Sequence, residues 1–128
     1  MTNKLEKNLK FWGHNCFSII SDKTLLVTDP WFSKSGAFFG SWFQYPKNHH
    51  LKEEILNMVD LFEDVYVFIT HEHQDHYDKE FLSKMSKDTK ILIPSYRDKS
   101  FKQDCERLDL EVIEVKDTET VYLNKNFW

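Results

Sequence analysis

Apolar and polar positions near the N-terminus follow a pattern that is typical of two β-strands. The segment LKFWGHNCFSIIS, residues 9–21, predicts a strand that turns at Gly13 and resumes through residues 16–20. The polar SDK, residues 21–23, predicts a hairpin turn, and TLLVTDP, residues 24–30, predicts the returning strand. Because the connection is so short, we expect these two strands to pair in antiparallel fashion.

After the predicted hairpin, a loop without regular periodicity leads into a repeated helix–strand pattern. The loop, residues 31–50, is rich in aromatic side chains, and we expect it to have an apolar lining. Apolar residues at helical spacing predict three amphipathic helices, over residues 51–62, 79–86 and 99–109. Apolar or alternating runs predict four strands, over residues 64–70, 90–95, 110–115 and 119–128. This order of elements predicts an α+β fold, with a mixed sheet and helices on one outer face.

The composition is that of one globular domain. Of 128 residues, 41% are hydrophobic and 30% are charged. The net charge of −4, with no basic run among the aromatic residues, disfavours a nucleic-acid partner. No apolar stretch approaches the ~18 residues of a transmembrane helix, and the first residues lack the apolar core of a signal peptide. We therefore expect a cytoplasmic protein in which Cys16 and Cys105 are buried, reduced thiols.

Metal-binding residue types crowd into the segment HEHQDH, which directly follows a predicted strand. His71 and His73 are two positions apart, so both can point to one side at the strand end and meet one ion. Asp75 and His76 follow on the turn and can face a second ion. Imidazole and carboxylate ligands suit Zn²⁺, while Fe or Mn could use the same set. The alternative, a solvated helix cap that is rich in histidine, explains the position at a strand end less well.

The segment HEHQDH resembles the HxHxDH signature of the metallo-β-lactamase superfamily. Residues 13–19, GHNCFSI, and 25–32, LLVTDPWF, also fall where that family has its early strands. The resemblance implies an αββα sandwich that binds one or two metal ions. It implies further that a metal-bound hydroxide attacks an ester, lactone or phosphodiester of a small-molecule substrate, with Asp75 steadying the hydroxide and shuttling its proton. Asp29 would then support the histidine loop from behind the ligands, or else be a plain turn residue before Pro30.

Within the superfamily, residues 29–46, DPWFSKSGAFFGSWFQYP, look most similar to the branch with CMP-N-acetylneuraminate hydroxylase-like proteins. Lactonase-like and N-acyl-phosphatidylethanolamine phospholipase D-like proteins come next. The hydroxylase also uses an N-terminal Rieske iron–sulfur domain, for which this sequence has no ligand set, so oxygenase activity is not implied. The alternative to a hydrolase is a non-catalytic metal-binding module of a nucleotide-sugar or polysaccharide pathway.

The later metal ligands of the resembled family have no counterpart in this sequence. That family closes its site with a His, a bridging Asp and a final His downstream of the motif, whereas residues 77–128 contain no histidine. We therefore expect residues 1–128 to be the N-terminal part of a single metallo-β-lactamase-like domain whose C-terminal half is missing. A shortened relative that lost catalysis is the alternative. As supplied, the chain should be a weak or inactive hydrolase, and its unfinished sheet edge could pair with a second copy.

Four further residues are candidates for a substrate pocket. His14 follows the turn at Gly13 and could reach the metal rim or a substrate, or it could be a core histidine bonded to the backbone. Trp31 and Trp42 could line a substrate mouth, or they could cover the sheet edge or fill the core. Tyr77 could pack beside the site and offer its hydroxyl as a hydrogen-bond donor.

Overall fold

The computed structural model describes residues 7–123, which form one six-stranded sheet with helices between its later strands. The strands are β1 (Lys7–Gly13), β2 (Cys16–Ser21), β3 (Thr24–Thr28), β4 (Asp64–Phe68), β5 (Lys90–Pro94) and β6 (Glu111–Val115). The helices are α1 (Lys52–Val59), α2 (Lys79–Ser83) and α3 (Ser100–Glu106), and a short 3-10 turn, His49–Leu51, precedes α1. The predicted hairpin, helices and buried strands are therefore present, with ends that differ by a few residues.

The order of strands in the sheet follows the order of the chain. β1, β2 and β3 pair antiparallel through tight turns, whereas β3, β4, β5 and β6 are parallel neighbours. Parallel neighbours need a crossover connection, and α1, α2 and α3 each lie within one. Because such crossovers are right-handed and the strands advance in one direction, the helices lie on one side of the sheet. The α+β fold with a mixed sheet is confirmed.

The hydrophobic core lies between the sheet and this helical layer. Alternate strand residues, such as Val27, Val67 and Ile91, are completely buried, as the two-residue period of a strand requires. They belong to one cluster with Ile55 of α1 and Phe81 of α2. The helices therefore hold the carboxyl ends of the parallel strands, and the loops that follow them, in fixed positions.

The predicted final strand, over residues 119–128, is not formed in the part that the structure describes. Residues 119–123 have no strand structure, and residues 124–128 lie outside the described residues. After β6 the chain turns, with Thr118 at a φ of 62° and the amide of Glu119 donating to the carbonyl of Lys116. The alternating pattern was a misleading signal here, because alternation produces a strand only where a neighbouring strand can pair with it.

The predicted helices are also longer than the observed ones. The first was expected over residues 51–62 but continues as α-helix only to Val59, after which the amide of Phe62 bonds to the carbonyl of Val59. Such i to i+3 bonds tighten the last turn of a helix and often end it.

Across residues 7–123, none of the helices combines the length and the apolar character needed to cross a bilayer.

Candidate metal centre

Three segments that are distant in sequence meet at the edge of the sheet where β3 and β4 end. Asp29 directly follows β3, and its amide donates to the carbonyl of Phe68, the last residue of β4, at 2.9 Å. The β1–β2 turn lies at the same edge, because β1 and β2 are antiparallel neighbours of β3. The hydroxyl of Thr28 holds this turn by accepting from the amide of Phe17 and donating to the carbonyl of Asn15. The edge resembles the carboxyl ends of α/β sheets, where ligands commonly bind.

The histidine loop between β4 and α2 is a compact turn. The amides of His76 and Tyr77 both donate to the carbonyl of His73, at 2.9 and 3.0 Å. α2 begins only after Asp78, whose side chain accepts from the amide of Phe81 at 3.1 Å. Its role as the cap of this helix agrees with its residue type.

His71 and His73 lie side by side at the solvent-facing end of the loop. Nε2 of His71 is 2.8 Å from Nδ1 of His73, and the ring centroids are 3.9 Å apart. The ring of His71 is also 5.5 Å from that of His76. The structure thus brings together the two histidines that the strand geometry had placed on one side, with one ring nitrogen of each facing the other.

His76 connects two carboxylates, Asp29 and Asp75. Its Nδ1 lies 2.9 Å from Oδ2 of Asp29, and its Nε2 lies 3.2 Å from Oδ2 of Asp75. Asp29 is only 2% exposed and also accepts from the amide and the hydroxyl of Thr70, at 2.6 and 2.5 Å. A proton on Nδ1 of His76 would donate to Asp29 and would leave the lone pair on Nε2, the tautomer that a metal-binding histidine needs.

His14 joins this group from the β1–β2 turn. Its Nε2 lies 2.9 Å from Oδ2 of Asp75, a contact that spans 61 positions of the sequence. One ligand atom from each of His14, Asp75 and His76 lies within 4.8 Å of the others. The expected alternatives for His14 were a contact with the metal rim or a substrate, or a backbone-bonded core position, and the structure places its ring against the carboxylate of Asp75.

The remaining candidates for a substrate pocket are divided between two places. The rings of Trp31 and Trp42 both pack edge-on against His14, at 5.1 and 5.6 Å. Trp31 and Tyr77 also line a cleft of about 690 Å³ beside the histidine loop. Other residues lining this cleft are Glu72, Gln74, Lys79 and Asp104. The cleft has the volume of an ordinary small-molecule pocket, so the pocket role of these residues stays a prediction.

Tyr77 is more deeply packed than a flexible donor would be. It is 6% exposed and stands edge-on to Phe101 of α3 at 5.0 Å. Burial raises the pKa of Tyr77 well above its usual range, and the neighbouring Cys105 and Asp104 raise it further. Cys105 and Asp104 are the polar groups near its hydroxyl. Tyr77 therefore stays protonated and acts in the structure mainly as part of the core.

Two residues of the site were not singled out by the sequence. Thr70, next to His71, gives Asp29 two of its three donors, but nothing in its local sequence distinguishes it from any strand-end threonine. The other residue is Gln74, whose side-chain oxygen accepts from the amide of Phe38 in the aromatic loop. This bond fixes the histidine loop against residues 31–50, a contact that no periodicity could have indicated.

One family model and several curated proteins match this chain. A family model described as a beta-lactamase superfamily domain matches residues 8–125. A protein of Mycolicibacterium smegmatis named "Putative Rieske 2Fe-2S iron-sulfur protein" is 35% identical over 97 residues, which is 75% of this chain and 17% of the relative. A protein of Mycobacterium tuberculosis with the same description is 34% identical over 85 residues, 66% of this chain and 15% of the relative. The chain thus matches less than a fifth of the length of either relative.

Proposed function

The chain belongs to the beta-lactamase superfamily, and from that membership we propose that it forms the N-terminal part of a metal-dependent hydrolase domain. In this proposal His71 and His73 bind one divalent ion, and Asp75 and His76 bind at a second position. The curated relatives are much longer than this chain, so the proposal concerns the part of the site that residues 7–123 contain.

One observation carries the proposal: the arrangement of Asp29, His76 and Asp75. A buried carboxylate on Nδ1 and a second carboxylate beside Nε2 are what a metal-ligating histidine needs, because its tautomer and ring angle are both fixed. The donors themselves fit the ion, since imidazole nitrogens and a carboxylate oxygen form the borderline set that suits Zn²⁺, with Fe or Mn as alternatives.

Each residue has a distinct task in the proposed reaction. A bound divalent ion would supply an activated water for attack on an ester, lactone or phosphodiester. Asp75, 5% exposed and between two imidazoles, would bind the ion through Oδ2 and would use Oδ1 to hold the attacking water by a hydrogen bond and accept its proton. Asp29 would keep His76 in the tautomer that leaves Nε2 free. The cleft of about 690 Å³ beside the loop would take the small-molecule substrate.

Metal content tests the proposal directly. We would load the chain with Zn²⁺, remove loose metal by gel filtration, and measure bound zinc by mass spectrometry in wild type, H71A and H73A. We expect both variants to lose the ion at the position that His71 and His73 share. H50A is the matched control, because His50 is exposed in the 3-10 turn before α1 and is not part of the histidine loop. Equal zinc content in H71A and wild type would refute the assignment.

A second function is favoured by the names of the curated relatives. Both are described as Rieske 2Fe-2S proteins, and this chain matches only 17% and 15% of them. A Rieske centre needs two cysteines and two histidines, whereas Cys16 and Cys105 here are both fully buried in the core. The chain would then be a non-catalytic metal-binding module of a longer iron–sulfur protein, in the branch that resembles CMP-N-acetylneuraminate hydroxylase.

Turnover separates the two functions. We would assay the zinc-loaded chain with p-nitrophenyl acetate, a simple γ-lactone and bis(p-nitrophenyl) phosphate, with and without a chelator. Chelator-sensitive hydrolysis that disappears in H71A would favour the hydrolase. Stable zinc binding without turnover on any of these substrates would agree with the metal-binding module and equally with a hydrolase that is inactive as supplied.

A further inference from the structure

The turn between β1 and β2 does not itself favour a histidine at position 14. Gly13 pairs with Cys16, so His14 and Asn15 form a two-residue turn between β1 and β2. His14 has a φ of 51°, in the left-handed region that costs most L-residues about 1 kcal/mol and that glycine or asparagine adopts more readily. Turns of this kind usually carry those two residues. A histidine held in this conformation points to a task for its side chain.

The surrounding residues hold the turn and the imidazole in place. A side chain at Gly13 would meet Nδ2 of Asn48 at 2.9 Å, so the turn packs tightly on this asparagine. Nδ2 of Asn48 also donates to the carbonyls of Trp12 and Trp31, which ties the turn to the aromatic loop. On the other side, the indole of Trp31 contacts the ring of His14 edge-on. The imidazole is therefore preorganised rather than free to swing.

The imidazole is aimed at the same oxygen that faces His76. Oδ2 of Asp75 lies 2.9 Å from Nε2 of His14 and 3.2 Å from Nε2 of His76. The two rings are 5.8 Å apart, and the Asp75 side chain is only 7% exposed. Two ring nitrogens and one carboxylate oxygen thus converge from two loops on one small volume.

We propose that His14 is a metal ligand, and that it binds one divalent ion together with Asp75 and His76. The inference rests on the proposed function in requiring an ion at the Asp75–His76 position, and it deepens that function by adding a ligand upstream of the histidine motif. Three protein ligands with an open fourth position are the arrangement of catalytic zinc sites, and two histidines with one carboxylate also suit Fe²⁺. The β1–β2 turn would then complete a three-ligand site within residues 7–123.

The test uses H14N and H14G, which remove the imidazole while keeping the left-handed turn. We would titrate wild type and variants with Zn²⁺ by calorimetry, and with Co²⁺ by visible spectroscopy, since its d–d bands report the ligands. We expect the affinity for one ion to fall at least about tenfold, because even residues behind the ligands contribute 10–100-fold. The metal-free variants should melt at or above the temperature of wild type, and their Co²⁺ bands should change. H50N is the matched control and should behave like wild type.

A double-mutant cycle with D75N shows whether His14 and Asp75 serve the same ion. If they do, the losses in H14N and D75N will be strongly non-additive in the double variant. Additive losses, or an H14N protein with unchanged affinity and Co²⁺ spectrum, would overturn the ligand role of His14 while leaving the proposed function in place. Unfolding of both metal-free variants would make His14 a structural partner of Asp75 and would also overturn it. A wild-type chain that binds neither ion would refute both proposals.

Discussion

At the scale of single residues, the hydrogen bonds around Asp29 explain why a carboxylate can be buried at this edge of the sheet. An unpaired buried carboxylate would be costly, but Asp29 accepts from two groups of Thr70 and from His76. Its backbone φ of 39° turns the chain there, out of β3 and towards the aromatic loop. The resemblance indicated support for the histidine loop from Asp29, and the observed contact to His76 is what such support needs.

We expect D29N to weaken Zn²⁺ binding by about 10–100-fold, the usual effect of losing a partner behind a ligand. An asparagine amide at this position can present N–H groups to Nδ1 of His76 and so favour the tautomer whose Nε2 carries the proton. Competition with a chromogenic chelator measures the affinity. The control is D117N, in the exposed turn after β6, which should bind as wild type does. Unchanged affinity in D29N would contradict the role given to this residue.

At the scale of elements, α2 is too short to be stable by itself. It has five residues, and isolated helices of that length are not populated in water. Asp78 stabilises it twice, by accepting from the amide of Phe81 at 3.1 Å and from the amide of Phe32 at 3.0 Å. The second bond joins α2 to the aromatic loop, residues 31–50. One side chain thus holds together the helix that follows the histidine loop and the loop that precedes α1.

D78A should lower the free energy of unfolding by about 2–4 kcal/mol. The loss of a helix cap costs about 1 kcal/mol, and leaving the buried amide of Phe32 without an acceptor costs about 1–3 kcal/mol more. D78N keeps one acceptor oxygen and should lose clearly less. Urea unfolding followed by circular dichroism gives both values. Equal stability of D78A and D78N would show that the two bonds contribute little.

At the scale of the whole molecule, the two sides of the sheet differ in burial. The helices cover one side, where Cys16 and Cys105 are both completely buried in the common core. Leu9, Phe11 and Phe17, at the other side and near the edge strand β1, are 64%, 59% and 37% exposed. The predicted pairing with a second copy through a sheet edge stays a prediction.

The buried thiols predict a loss of stability at alkaline pH. Burial raises the pKa of Cys105 to about 11. Burial also raises the pKa of Cys16 well above its usual range, and the nearby negative charge of Asp29 raises it further. Unfolded thiols ionise near pH 8.5, so the folded state holds its protons longer. The stabilisation is complete below the unfolded pKa and is lost as pH rises towards the folded one. Each thiol should therefore lower the free energy of unfolding by about 1 kcal/mol per pH unit between pH 9 and 10.

C105A tests this pH dependence. Its absolute stability will differ from that of wild type because a buried group is removed, but its slope against pH between pH 9 and 10 should be shallower by about 1 kcal/mol per unit. Urea unfolding at several pH values, under reducing conditions, measures the slope. A slope equal to that of wild type would mean that Cys105 ionises as readily in the folded chain as in the unfolded one.

The sequence by itself determined the local features: the hairpin, the positions of the helices, the buried strands and the loop with His71, His73, Asp75 and His76. Periodicity and turn chemistry are local properties, so they can be read without knowing which strands become neighbours. They were wrong where neighbours decide, as at residues 119–123, where an alternating segment has no strand structure.

Only the tertiary structure decided what surrounds the histidine loop. The order of the sheet brings the β1–β2 turn to the ends of β3 and β4, and so places His14 against Asp75 across 61 positions of the sequence. The same packing gives Asp29 its donors from Thr70 and fixes Gln74 to the aromatic loop. Residue type and spacing specify which atoms can bind a metal, whereas the pairing of distant strands determines which of them meet.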